Sequence, residues 1–585
     1  MIKMYKNILA LIVIGVLLAG CKKVLSPLDD NHRTLESIYS DPYFAEGIIM
    51  NAYTRLPTNG YSFNDVATDD AVTNDKFSPL LNMATGAWSA ANNPVEQWTN
   101  SYTAITYLNL FLKQLDSVNW SPMSKNVRIL FTDRLKGEAY GLRALFLLHL
   151  LQAHAGPGPS GQLLGVPIIT QPLESNSDFS TSRSTFDQCV TQIYNDLNEA
   201  EKYLPLDYVD ISSTSQLPSK YSSMAVAEYN RVFGYFNRER VSARIAKAIR
   251  ARAALLAASP AFNLQGSSTK WEDAANYAAD LLDRIGGISG LDPKGGLFYT
   301  SANADAIDLS KNIDQKEMLW RGNIVTSRSL EVNNFPPTLF GNGRVNPTQN
   351  LVDAFPMANG YPITDPASGY VASSPYNNRD PRLKNYIVVN GGTIGTKTIW
   401  TKSDAPTNDA VNILPTSTRT GYYMRKLLRE DVNANPSSPA DKKHYPVHIR
   451  YTELFLIYAE AANEAWGPDG MGTHAYSARS VIAAIRKRAG ITQPDNYLTS
   501  IATKEDMRKL IHNERRLELC FEGFRFWDLR RWKDPLTEQA KGVTINNNVF
   551  TVQPIENRQY SDYMYYGPIP LLEALKANLQ QNKGW

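Results

Sequence analysis

Glu514, Glu518 and Glu522 recur at four-residue intervals, with Arg515, Arg516 and Arg525 among them. On a helix that spacing places the three carboxylates on one ridge. Carboxylates so placed could serve as acid and base, but opposite charges at such spacings pair locally. If the ridge is buried, its ions must be paired to offset desolvation. The ridge therefore reads as structural. A glycoside hydrolase needs only two carboxylates held several ångströms apart, and one sequence singles out no such pair, so that class stays open. The seven histidines suggest little more. His149 and His154 lie five apart, about 140° around a helix, and do not converge. His444 and His448 have helical ligand spacing, but Pro446 stands between them. Gly156-x-Gly158-x-x-Gly161 fits a dinucleotide fingerprint only formally. It follows a helix rather than a strand, and Pro157 and Pro159 remove amides that a phosphate would need. HExxH, Walker and GxSxG patterns are absent from the sequence. No catalytic residue, metal ligand or cofactor is nominated.

The start of the chain sets the compartment. Lys3 and Lys6 precede an apolar run over 8–18, and Leu18-Ala19-Gly20-Cys21 closes it. Such a run is too short to span a bilayer and has the order of a secretory signal. Cysteine after Ala-Gly is the cleavage signature of a bacterial lipoprotein, so Cys21 is expected to carry the lipid. Residues 1–20 are then the signal and 21–32 a polar tether. The formal net charge of +3 gives no general attraction to nucleic acid. The basic stripe Arg240, Arg244, Lys247 and Arg250 reads as a solvated or ion-paired helix face. With Cys21 lipidated, Cys189 and Cys520 cannot make a disulfide framework, so an apolar core must hold the chain together.

The elements follow from periodicity. Trp98, Tyr102, Ile105 and Leu108 share a helical face, as do apolar residues over 133–152, where Gly137, Ala139 and Ala144 would let a neighbour approach closely. Further helices are expected over 185–204, 241–258 and 271–285. In the last of these Trp271, Ala274, Tyr277 and Ala278 have the spacing of degenerate tetratricopeptide repeats. From 286 to 445 Gly, Pro, Asn, Asp and Ser are dense and the period is lost, which suggests a large loop-rich insert. Helical texture returns over 451–466, 475–489 and 504–521, and the tail over 533–585 reads as irregular. The expected fold is mainly α: a tetratricopeptide-like scaffold over 33–285, then 286–585 with the insert 286–445 and helices within 451–532.

Several motifs, in order, resemble the SusD/RagB family of outer-membrane nutrient-binding lipoproteins. They are Asn51-Ala52-Tyr53, Trp98-x3-Tyr102-x2-Ile105-x3-Asn109, Gly137-Glu138-Ala139 with Leu142-Arg143-Ala144, and Leu351-Val352-Asp353-Ala354-Phe355. Then come Asn378-Arg379-Asp380-Pro381-Arg382-Leu383, Gly421-Tyr422-Tyr423, Arg450-Tyr451-x-Glu453-Leu454-x3-Tyr458-Ala459-Glu460-Ala461 and Arg515-Arg516-x-Glu518-Leu519-x-Phe521-Glu522-Gly523. Pro568-Ile569-Pro570 and Gln581-Asn582-x-Gly584-Trp585 close the chain.

The resemblance implies a lipid-anchored outer-membrane protein facing the cell exterior. It would capture an oligosaccharide or polysaccharide and deliver it to a SusC-like, TonB-dependent transporter, without chemistry of its own. A surface-anchored glycoside hydrolase and an adhesin or peptide-binding surface lipoprotein are the alternatives. In the resembled family the ligand site draws on loops around the early helices. The matching stretch here, 64–93, supplies Asp69, Asp70, Asn74, Trp88, Asn92 and Asn93. Trp88 stands outside a clear apolar period and is the expected stacking platform, with a core plug as its alternative reading. Trp320, after an expected strand, is a second candidate and Trp400 a third. Trp98, Trp271, Trp466 and Trp527 fall in helical patterns and read as core.

Overall fold

The computed structural model describes residues 41–172 and 182–585. Cys21, the signal and the tether lie outside the described residues. The longer helices are α1 (Pro42–Thr54), α2 (Trp98–Gln114), α3 (Lys125–His154), α4 (Phe186–Tyr203), α5 (Val226–Phe233), α6 (Ala243–Ala258), α7 (Ser268–Arg284), α8 (Tyr451–Trp466), α9 (Ala478–Ala489), α10 (Lys504–Glu518) and α11 (Arg525–Trp532). The fold is mainly α with a tetratricopeptide-like helical scaffold.

Local chemistry sets the helix ends. Asp41 caps α1 by accepting from the Tyr43 and Phe44 amides, with Pro42 in the first turn, where its missing N–H does no harm. Thr185 and Gln188 form a reciprocal capping box on α4. The 30-residue α3 ends at His154, just before Gly156-Pro157. A side chain at Gly137 would lie 2.5 Å from Leu204 Cγ, so the glycine is what lets the α4 end come this close.

Alanine-rich α6 packs on α3, α4, α7 and α8. Its buried alanines face those of α7 (Ala274, Ala275, Ala278, Ala279) and α8 (Ala459, Ala461, Ala462), within one apolar core that runs through the helical elements. The basic stripe is an ion-paired face. Arg240 meets Glu46 and Glu138, Arg244 meets Asp207, and Lys247 bridges Glu201 and Asp280, both at 2.9 Å.

Between 286 and 445 no element exceeds six residues. The segment nevertheless has a core of its own, built around Phe298, Phe335, Leu351, Phe355, Leu383, Tyr386, Tyr422 and Tyr423. Short antiparallel pairs pin it to distant parts of the chain. β1 (Ala71–Thr73) pairs with β3 (Val345–Pro347), and β2 (Met318–Arg321) with β4 (Val447–Arg450), which leads directly into α8.

The tail departs from the irregular course expected of it. β5 (Ala540–Asn546) and β6 (Val549–Glu556) form a hairpin closed by Asn547 and Asn548, at φ 48° and 62°. Asparagine tolerates the left-handed region that such a two-residue turn requires. The formal dinucleotide pattern is also a small hairpin, with Gly156–Pro157 paired to Leu163–Leu164.

Candidate functional site

The structure does not bring the six residues nominated in 64–93 together as a ligand surface. Trp88 is only 4% exposed. Its ring lies 4.9 Å from Trp585, 6.0 Å from Phe526 and 6.1 Å from Tyr560, with the Arg530 guanidinium over it at 4.8 Å. Its indole N–H donates to Asn93 Oδ1 at 3.0 Å. Trp88 is therefore the plug of a small third core, and its faces are not available for stacking.

Asp69 and Asp70 are buried. Asp69 accepts from Arg516 at 2.9 Å and from Arg525 at 2.8 and 2.9 Å, while Asp70 accepts from Arg516 at 2.6 Å. Burial raises the Asp69 carboxyl, but the two guanidinium groups overcome that and hold it well below the usual range. Asn74 donates to the Asn342 and Ser417 carbonyls. Asn92 is exposed and donates to the Ala87 carbonyl of a tight turn. Trp320 is 2% exposed and donates to the Glu239 carbonyl at 2.8 Å. Its ring backs His448 at 4.6 Å. Of these residues Asn92 is exposed and Asn93 partly so, and the others are buried.

The space for a ligand lies elsewhere, in a cavity of about 440 Å³ between the helical scaffold and the carboxy-terminal helices. Three helices turn one face toward it. α3 contributes Leu148, His149 and Gln152, and α6 contributes Arg252, Leu255 and Leu256. Phe524, just before α11, lines up with Trp527, Asp528 and Arg531 at i, i+3, i+4 and i+7. β4 supplies Val447 to Arg450, and the rim is formed by Thr58, Tyr61, Asn64, Leu80 and Gln97. The stretch 64–93 thus reaches the cavity through Asn64, Ser78, Pro79 and Leu80, not through the nominated residues. Gly523, at φ +83°, makes the turn that brings Phe524 to the rim, and a Cβ there would meet Ser62 Oγ at 2.7 Å.

The charged groups of the wall are committed to one another. Arg252 donates to both oxygens of Glu453, at 2.7 and 2.5 Å. Asp528 accepts from Arg515 at 2.8 Å and from Arg531 at 2.7 Å. Glu522 accepts from Arg450 and Lys426. Burial raises Glu522, but these two cations hold it below its ordinary value. Burial, with the Arg252 guanidinium close by, pushes both His149 and His448 down to about 3. The cavity therefore offers aromatic surface from Tyr61, Phe524 and Trp527, neutral donors and acceptors from Asn64, Gln97, Gln152 and His149, and carboxylates locked in ion pairs. Among the described residues no group of three or more His, Cys, Asp or Glu is placed to hold a metal ion.

Trp527 was expected in the core and is instead partly exposed on the cavity wall. Its helical spacing is genuine. The clue against a core role is that Asp528 and Arg531 share its stripe, which a close-packed apolar face would not carry. Tyr61 and Phe524 had no comparable signal.

Residues 311–585 match the profile of the SusD family. Residues 39–233 match a SusD-like family described as starch-binding and associating with the outer membrane. Among solved structures, a SusD-like protein from Bacteroides fragilis superposes with TM-score 0.71 at 23% identity, over 96% of this chain and 100% of that one. A SusD-like carbohydrate-binding protein from the same organism superposes with TM-score 0.67 at 19% identity, over 92% and 99%. SusD-like protein P2 of Formosa agariphila is 28% identical over 142 residues, 23% of this chain and 25% of that protein. The chain thus spans about a quarter of the length of that curated relative. No helix among the described residues is long and apolar enough to cross a membrane.

Proposed function

The chain belongs to the SusD family, and from that premise we propose that it is a cell-surface, lipid-anchored glycan receptor. It captures an oligosaccharide in the cavity walled by Tyr61, Phe524 and Trp527 and delivers it to a SusC-like, TonB-dependent outer-membrane transporter. The observation that carries this reading is the cavity's composition. Flat aromatic faces suit the apolar faces of pyranose rings, and neutral amides beside them suit the hydroxyls. Pockets of this kind, mostly apolar with a few placed polar groups, are the usual form of a small-ligand site. The carbohydrate-binding description of a relative with the same fold points the same way.

A binding role without hydrolysis is supported by the carboxylates. A glycosidase needs one acid held protonated near neutral pH. Glu522 is held low instead, and Glu453 and Asp528 are tied to arginines. Lipidation at Cys21 and delivery to a transporter extend the family reading to this chain.

The test is a titration of the detergent-solubilised protein against plant and host polysaccharides, with reducing ends assayed in the same tubes. Saturable binding without new reducing ends is expected, and Trp527→Ala should weaken it. New reducing ends would make the protein a hydrolase. Binding that Trp527→Ala leaves untouched would place the site elsewhere.

A further inference from the structure

Four guanidinium groups reach the cavity wall, from Arg252, Arg450, Arg515 and Arg531. So many cations would ordinarily mark a receptor for uronates, sulfates or phosphates. Here each has a carboxylate already. Arg252 grips Glu453 with two bonds. Arg450 donates to Glu522 and to Glu317, both at 2.8 Å. Arg515 donates to Asp528 at 2.8 Å. Arg531 donates to Asp528 at 2.7 Å and to Glu460 at 2.5 Å. The side chains of Arg450, Arg515 and Arg531 are at most 5% exposed, and Arg252 is 16% exposed. A ligand anion entering this wall would lose its hydration without gaining an unopposed counter-charge, and it would meet Glu453, Glu522 and Asp528.

Three polar atoms of the wall, Asn64 Oδ1, His149 Nε2 and Arg515 Nη1, are buried without a hydrogen-bond partner. The charge of Arg515 is already opposed by Asp528, and His149 is the clearest uncharged case. It lines the cavity from the third helix of the scaffold, and its Nε2 is buried without a hydrogen-bond partner. Leaving a buried polar atom unpaired is costly, and a sugar hydroxyl can both donate to and accept from an imidazole. Burial beside Arg252 keeps the ring neutral, with its pKa at about 3.

We infer that the cavity selects uncharged oligosaccharides, free of carboxylate, sulfate and phosphate substituents, and that His149 Nε2 hydrogen-bonds a sugar hydroxyl. The inference rests on the reading of this cavity as the glycan site.

Calorimetric titration of the solubilised full chain with matched pairs of oligosaccharides tests it. Each pair shares linkage and length and differs only in a uronate or sulfate group. The neutral member should bind at least about tenfold more tightly, the scale of one uncompensated polar burial. His149→Phe, which keeps the ring volume, should weaken neutral binding by about three- to tenfold, the scale of one neutral hydrogen bond. Its melting temperature should stay close to that of the wild type. Equal or tighter binding of the anionic member, still lost in Trp527→Ala, would overturn the selectivity and leave the glycan site standing. Unchanged neutral affinity in His149→Phe would remove the histidine from the site. Binding of neither member, or binding indifferent to Trp527→Ala, would bring down the site and the inference together.

Discussion

A tryptophan stabilises a fold or a ligand according to what covers its faces. Trp88 is covered by Phe526, Tyr560, Trp585 and Arg530, so Trp88→Ala empties a packed site. Such truncations cost about 3–5 kcal/mol, and a marked fall in melting temperature is expected. Glycan affinity per folded molecule should be nearly unchanged, because the ring does not line the cavity. Trp527→Ala should do the reverse. Its melting temperature should move little, while affinity falls by about 1–3 kcal/mol, on the scale of a base stacked on an aromatic ring. Thermal melts and titrations of the two variants decide the matter, and a Trp527→Ala protein that melts far below the wild type would make that ring core. The sequence could not separate the two residues. Trp88 has no apolar period because it sits after the kinked turn at Met83–Ala87, and its cover comes from the far end of the chain. Trp527 has a period because it sits on a helix, and periodicity reports which residues share a face, not whether that face is filled.

At the scale of elements, the most informative joint is the end of α3 against the carboxy-terminal tail. His154 closes the helix. Its Nδ1 lies 2.7 Å from the Pro568 carbonyl, and its Nε2 accepts the Gln97 amide at 3.1 Å. Asn582 donates to the His154 and Gly567 carbonyls, and the Trp585 indole donates to Tyr566. The closing motifs Pro568-Ile569-Pro570 and Gln581-Asn582-x-Gly584-Trp585 thus act as a clamp. Both ring nitrogens of His154 are engaged, and only the neutral ring with its proton on Nδ1 satisfies both bonds.

Burial pushes that histidine down to about 4, against an ordinary value of 6.5. The unfolded chain takes up the proton first, so the contribution of His154 is fully present above pH 6.5. It is lost progressively as the pH falls from there toward about 4. His154→Gln should be less stable at pH 7, yet lose less of its urea midpoint between pH 7 and pH 5 than the wild type does. An equal loss in both proteins would show that this ring does not titrate on unfolding. His149, His448 and His512 are depressed as well, so the variant should flatten the profile without abolishing it.

The helix was legible, since the apolar stripe and the Gly-Pro stop bracket α3. Its joint with the tail was not, because the clamp is made of backbone carbonyls and single polar side chains that leave no periodic trace. The β5–β6 hairpin escaped notice for a related reason. β6 is exposed along most of its length, so it lacks the apolar alternation that marks a half-buried strand, and only Asn547-Asn548 signalled the turn.

Over the whole molecule, the short-element region between 286 and 445 is joined to the helical body by a buried ionic lattice as well as by apolar contact. Glu514 accepts from Arg486 at 2.8 Å and faces Arg382 at 2.9 Å. Glu518 faces Arg488 at 2.6 Å, Arg382 at 3.2 Å and Arg450 at 3.7 Å. Glu522 faces Lys426 at 2.5 Å and Arg450 at 2.8 Å. Glu514 and Glu518 were legible as a structural ridge from their four-residue spacing, whereas Glu522 lies past the end of α10, after the left-handed Phe521, and joins the lattice from the turn that follows. Which cations meet them was not, because Arg382 and Lys426 arrive from the insert, Arg450 from β4 and Arg488 from α9. Only the finished fold gathers them.

A buried network of this kind need not be more stable than an apolar substitute, but removing one carboxylate leaves its buried cations with less counter-charge than they need, at about 3–5 kcal/mol. Glu518→Ala should therefore lower stability by that amount at neutral pH. Burial raises the Glu518 carboxyl, yet Arg488, Arg450 and Arg382 hold it at about 2, against an ordinary 4.5. Its contribution is present above pH 4.5 and is lost as the pH falls toward 2. The gap in denaturation midpoint between wild type and Glu518→Ala should be constant from neutrality to about pH 4.5 and narrow below it. A gap that stayed constant into acid would mean that the side chain acts through its volume, and that the lattice does not hold the insert by charge.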